Sequence, residues 1–218
     1  MNTARAVLGA LAFAAALSGL GCAGGTRPGT PPASAPARPR APAVTVVAPA
    51  EFATALAERR QVLIANGERL REDEVGYYMD VQEARFRQVV SAGLRVSRRE
   101  QTVVLSLPGQ LTFSVNSAQL SDAARTALAA VARVLVEYRL SVVSLHGHTD
   151  DTGDPASNQR LSEQRALTVA RYLIAEGVNP TRLVVAGYGS ASPVADNTSD
   201  AGREANRRVE LQIDPLRE

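Results

Sequence analysis

Residues 141–154 read Ser-Val-Val-Ser-Leu-His-Gly-His-Thr-Asp-Asp-Thr-Gly-Asp. An apolar run rich in β-branched residues gives way abruptly to polar, turn-forming ones. A long amphipathic pattern follows from Asn158 to Glu176 and is closed by Gly177. Strand, polar loop, helix is the unit of an α/β sheet, and the rest of the chain extends it. Upstream, Val103, Leu105 and Leu107 alternate with Thr102, Val104 and Ser106 and stop at Pro108-Gly109, which predicts a half-buried strand. Ser121-Asp122 caps a helix whose apolar stripe is Ala127, Leu128, Val131, Val134, Leu135 and Tyr138. Downstream, Arg182 to Ala186 and Arg208 to Ile213 are further strands, the last with Val209, Leu211 and Ile213 on one face and Arg208, Glu210 and Gln212 on the other. The order β-α-β-α-β-loop-β predicts an α/β (α+β) two-layer sandwich: a mixed four-stranded sheet with helices on one face, spanning 94–218.

Ahead of it, residues 50–93 are charged and helical. Phe52, Leu56, Val62 or Leu63, Leu70 and Val75, then Tyr78, Val81, Phe86, Val89 and Val90, recur at helical spacing, with breaks at Asn66-Gly67 and Gly76. The plainest expectation is an amphipathic helix or hairpin packing on the next domain or on a copy of itself; the alternative is an arm for an envelope partner.

Residues 22–49 are Pro, Ala, Gly and Thr with three Arg, and hold six of the twelve prolines between Pro28 and Pro42. This composition cannot bury a core. At about 3.1 Å per residue it reaches roughly 80 Å as an extended tether. Residues 1–21 are a leader. Arg5 gives a positive end, and the apolar run from Ala6 to Leu20 is shorter than the ~20 residues a membrane span needs. The run ends at Cys22, the chain's single cysteine. That junction resembles the bacterial lipoprotein signal, in which the thiol carries the lipid. It departs in having Gly19 where a large aliphatic residue is usual, with Leu20 one place late. Ordinary cleavage, leaving a soluble periplasmic protein, is the alternative.

Charge excludes several classes. The 218 residues carry 24 basic groups, all Arg, against 22 acidic ones. Four of the Arg and no acid lie in residues 1–50, so the remainder is slightly acidic and has no polyanion-binding character. No nucleic-acid partner is expected. Two histidines and one cysteine are too few for a catalytic zinc site. His146-Gly147-His148-Thr149-Asp150-Asp151 approaches the His-x-His-x-Asp-His run of metallo-hydrolases, but Asp151 stands where a further His is needed. Neither a serine elbow nor a cysteine–histidine pair is present. The reading is a binding protein without catalytic residues, cofactor or metal.

The binding chemistry concentrates after the Ser141–Gly147 strand, at the strand end where ligands of α/β sheets sit. The following helix offers unpaired N–H groups suited to a carboxylate. Arg165, two turns into that helix, borders the stripe of Ala166, Val169, Ala170 and Leu173, and its guanidinium suits a bidentate carboxylate contact. Asp150 supplies the opposite charge, although Asp-Asp-Thr-Gly is also good turn chemistry. A cation and an anion beside one cleft suit a zwitterion such as an amino acid.

Gly147-His148-Thr149-Asp150, Asn158-Gln159-Arg160-Leu161-Ser162-Glu163-Gln164-Arg165-Ala166, Gly187-Tyr188-Gly189 and Asn206-Arg207-Arg208-Val209 together resemble the OmpA-like C-terminal domain, over roughly residues 101–214. That family includes peptidoglycan-associated lipoproteins and flagellar stator proteins. The resemblance implies non-covalent binding of peptidoglycan through meso-diaminopimelate. Asp150 would take its free amino group and Arg165 its free carboxylate, with Asn158, Thr152 and Arg207 in support. Asn116 matches a polar position lining the site in relatives, while Ser114 stands where some have Asp. Alternation places Arg207 and Arg208 on opposite faces, and Arg207 is the one assigned to the ligand. Taken with Cys22, this implies an outer-membrane lipoprotein tethered to the wall. A stator role does not fit, for want of a transmembrane helix carrying an acid.

Overall fold

The computed structural model describes residues 44, 46–90, 93–114 and 117–217. The leader, Cys22, most of the tether and Asn116 lie outside the described residues. The last tether residues are not free: Val46 bridges Val185, and Val47 N–H donates to Val185 O at 2.9 Å.

Helices α1 (Phe52–Ala65) and α2 (Glu72–Val89) lead into strands β1 (Arg95–Arg99) and β2 (Thr102–Pro108). A short helix α3 (Gly109–Thr112) and the long α4 (Asp122–Glu137) precede β3 (Ser141–His148) and α5 (Pro155–Ala175). Then come β4 (Leu183–Gly187), α6 (Asp200–Asn206) and β5 (Arg208–Pro215). The mixed sheet runs β1-β2-β5-β3-β4, with only β3 and β4 parallel. The α/β class holds, with five strands rather than four. The extra strand is β1, whose sequence Arg-Val-Ser-Arg-Arg carries a single apolar residue and so hides its alternation. It turns into β2 through Glu100, which sits at φ 52°.

One face of the sheet buries Leu105, Val143, Leu145, Val185, Leu211 and Ile213 against Leu128, Val131 and Leu135 of α4 and Val169 and Leu173 of α5. Val75, Met79 and Phe86 of α2 join this core. The other face is also covered, contrary to the one-sided expectation: Phe52 and Leu63 of α1 pack with Val142, Val184, Ala186 and Leu216. Both helices of the 50–93 segment therefore pack apolar residues on the domain itself, while Val62 and Tyr77 stay exposed. Arg182, fully buried, ties α4 to β3. It donates to Ser141 O at 2.6 Å, Leu135 O at 2.5 Å and Tyr138 O at 3.1 Å, and burial pushes its pKa down to about 10.

The second face also buries two imidazoles. His146 meets the Phe52 ring edge-on at 4.7 Å, and Tyr188 lies 5.2 Å from His146 and 5.5 Å from His148. Loss of hydration lowers the pKa of His146 to about 4 and that of His148 to about 3. Glu210 and Asp214 oppose this at His146 and Glu210 at His148, while Arg208, ion-paired with Glu210 at 2.7 Å, reinforces it. The unfolded chain, with histidines near 6.5, therefore binds protons that the folded one refuses. Stability from these groups is complete above pH ~6.5 and is lost progressively toward pH 4, by about 3 kcal/mol for each histidine. Urea midpoints measured from pH 7.5 to 5 should fall on acidification, and His146→Gln should flatten the slope. Glu210 is held below the usual carboxylate range because Arg208 outweighs its burial, so its own loss begins only near pH 4.5, outside that window.

Candidate functional site

β3 is buried along its whole length, a consequence of helices on both faces, and it delivers Thr149 and Asp150 to the sheet's end. α5 starts at Pro155, three residues before the expected Asn158. Pro155 presets the first helical φ, and Asp154 caps the helix by accepting Ser157 N–H at 2.8 Å. The helix lies unusually close to the strands. A Cβ on Gly147 would meet Ser162 O at 2.0 Å, and one on Gly187 would meet Glu163 N at 2.5 Å. These two glycines set the height of Asn158 and Arg165 above the strand ends.

The result is a cavity of about 510 Å³ whose walls include Phe113, Ser114, Asp150, Thr152, Asn158, Arg165, Glu204 and Arg207. Asp150 is 8% exposed. Its Oδ1 accepts Thr152 N–H at 3.1 Å and its Oδ2 meets the Arg207 guanidinium at 2.5 Å. The other end of that guanidinium holds Glu204. Burial lowers the Arg207 pKa, but its hydrogen bonds to both carboxylates outweigh it and hold the group above its usual value. Asn158 donates its amide N–H to Thr152 O at 2.9 Å and Asp150 O at 3.4 Å, bracing the loop.

Arg165 differs from Arg207. It is 7% exposed, donates Nε–H to Ser117 O at 3.1 Å and lies 5.1 Å from the Phe113 ring centroid. Among the described residues it has no ion pair. Burial first, then the charge of Arg207, lowers its pKa. A dehydrated, aromatic-backed guanidinium without a counter-ion is a strong donor site for a carboxylate.

Five of the expected residues, Asp150, Arg165, Asn158, Thr152 and Arg207, thus share one cavity; Asn116 and Cys22 lie outside the described residues. Of the Asn206-Arg207-Arg208 run, Arg207 faces the cavity and Arg208 pairs with Glu210 on the second face. Asn206 is buried and binds Val194 N–H and Ala195 N–H, fixing the preceding loop. Sequence reading missed Phe113 and Glu204. The signal for Glu204 was Ser199, which caps the short helix α6 through Gly202 N–H at 3.1 Å and puts Glu204 one turn before Arg207.

The family model described as the OmpA family matches residues 112–207. The chain is 44% identical over 143 residues to probable lipoprotein YiaD of Escherichia coli, covering 65% of each chain. It is 37% identical over 115 residues to outer-membrane lipoprotein YfiB of Pseudomonas aeruginosa, covering 53% of this chain and 68% of that one. Against peptidoglycan-binding protein ArfA of Mycobacterium tuberculosis it is 39% identical over 105 residues, covering 48% of this chain and 32% of that one. The match thus takes in just under two thirds of YiaD and a third of ArfA. The chain belongs to the OmpA family.

Proposed function

We propose that this protein binds peptidoglycan non-covalently through the meso-diaminopimelate of the stem peptide. The observation that carries the reading is Arg165, a buried guanidinium on the cavity wall with no ion pair among the described residues, opposite the Asp150 carboxylate. A free diaminopimelate end offers one carboxylate and one ammonium, which match that polarity. Family membership and the likeness to ArfA, a peptidoglycan-binding protein by name, support the same ligand. Thr152 and Asn158 shape the Asp150 loop, Arg207 supports the Asp150 carboxylate, and Asn116 adds a polar contact. Binding is an equilibrium without a reaction step.

Cys22 carries acyl chains that hold the protein on the periplasmic side of the outer membrane, and the Pro/Ala-rich segment lets the domain reach the wall. YiaD and YfiB are both named as lipoproteins, and no helix among the described residues is long and apolar enough to cross a membrane. The test is sedimentation of the full-length protein with purified sacculi. It should co-sediment with diaminopimelate-type wall and far less with lysine-type wall, which lacks the free carboxylate. Equal binding to both would refute the ligand. Labelling by a fatty-acid probe that survives Cys22→Ala would refute the anchor.

A further inference from the structure

The cavity holds a mismatch between one arginine and two carboxylates. Arg207 divides its fork, with one terminal nitrogen on Asp150 Oδ2 at 2.5 Å and the other on Glu204 Oε2. The other oxygen of Asp150 is occupied by Thr152 N–H. The other oxygen of Glu204, Oε1, is cut off from solvent and accepts no hydrogen bond among the described residues. Guanidinium and carboxylate pair best as two parallel bonds to a single carboxylate. The divided arrangement therefore leaves Glu204 half satisfied.

We propose that Arg207 is a two-position latch and that Glu204 is the position it takes when ligand binds. The proposal rests on the reading of Asp150 as the ammonium contact. In this arrangement the ligand ammonium takes Asp150 Oδ2, the oxygen that Arg207 holds. On its arrival Arg207 turns its whole fork onto Glu204, and Oε1 gains its missing donor. Glu204 touches no ligand atom and acts through Arg207, so it is a positioning residue. Without the Glu204 charge, the displaced guanidinium would remain beside the incoming ammonium, and two like charges would compete for one carboxylate. The arrangement favours ligands that bring a cation as well as a carboxylate, because only a cation releases the latch.

The test is calorimetric titration of the full-length protein and its Glu204→Gln variant with two probes: meso-diaminopimelate and pimelate, the same diacid without amino groups. Glu204→Gln keeps the side-chain shape and removes the charge. It should weaken diaminopimelate binding about tenfold, the scale of one charged hydrogen bond, and change pimelate affinity less than twofold. Equal losses on both probes would mean a merely structural role and would overturn the latch, as would an unchanged affinity for diaminopimelate. A crystal structure of the diaminopimelate complex decides the point independently of affinity: Arg207 should form both bonds to Glu204, and its persistence on Asp150 overturns the proposal. If the wild-type protein binds no diaminopimelate, the ligand assignment itself falls and the latch with it.

Discussion

Arg165→Ala should lower affinity for diaminopimelate-type peptidoglycan about a hundredfold or more and abolish co-sedimentation with sacculi. Truncating one partner of a buried, hydrogen-bonded charge pair costs on the order of 3 kcal/mol, which is roughly a hundredfold. The cost is high here because the Arg165 guanidinium is dehydrated before the ligand arrives, so the carboxylate meets a cation that water has already left. Arg165→Lys separates charge from geometry. Lysine keeps the positive charge but loses the planar fork, its stacking on Phe113 and the Nε–H bond to Ser117 O, so it should recover only part of the affinity. Urea unfolding of the variants checks that the loss is one of binding; only the Phe113 packing and the bond to Ser117 O should be missing from the folded state. Full binding by Arg165→Ala would remove the central contact of the proposed site.

Gly147→Ala should be the most damaging methyl group that can be added to the sheet. Its Cβ would fall 2.0 Å from Ser162 O and 2.7 Å from Ser162 C, both backbone atoms that no rotamer change can move. α5 would have to lift from β3, opening the core at Ala166 and Val169 and displacing Asn158 and Arg165 together. A loss of about 4 kcal/mol or more is expected, read as a large fall in the urea midpoint, with peptidoglycan binding lost alongside. Gly76 provides the opposite sign. It lies inside α2 with nothing within 4 Å of its Cβ position, so Gly76→Ala should stabilise by about 0.5–1 kcal/mol. A Gly147→Ala protein as stable as the wild type would show that the α5–β3 spacing is not fixed by that glycine.

The contrast between these glycines also marks what the sequence can reveal. Gly147 appears in the sequence as part of a motif, and the clash that makes it necessary is visible only when Ser162 is placed above it. Strands β2, β3, β4 and β5 and helices α4 and α5 were legible because each has a clean apolar face. β1 was not, because an edge strand buries little and can be nearly all Arg and Ser. The covering of the second face was hidden in α1, where the apolar stripe is short and the seat of Phe52 lies on His146, a residue whose type does not announce packing. At the site, Asp150 and Arg165 could be picked out by charge and spacing. Glu204 was marked only by the Ser199 cap, since its role arises from a contact with Arg207 just past the end of a seven-residue helix that resembles a loop.

The sheet order has a consequence for how the molecule comes into being. β5, nearly the last element made, inserts between β2 and β3, so that Val103 faces Ile213 across more than half the length of the domain. Until β5 arrives, one hairpin and one parallel pair exist as separate pieces with open edges, and Arg207 has not yet reached Asp150. Closure of such non-local contacts is slow. A nascent chain is therefore held short of its native state by its own topology, and it acquires its fold and the Arg207–Asp150 pair in a single late event.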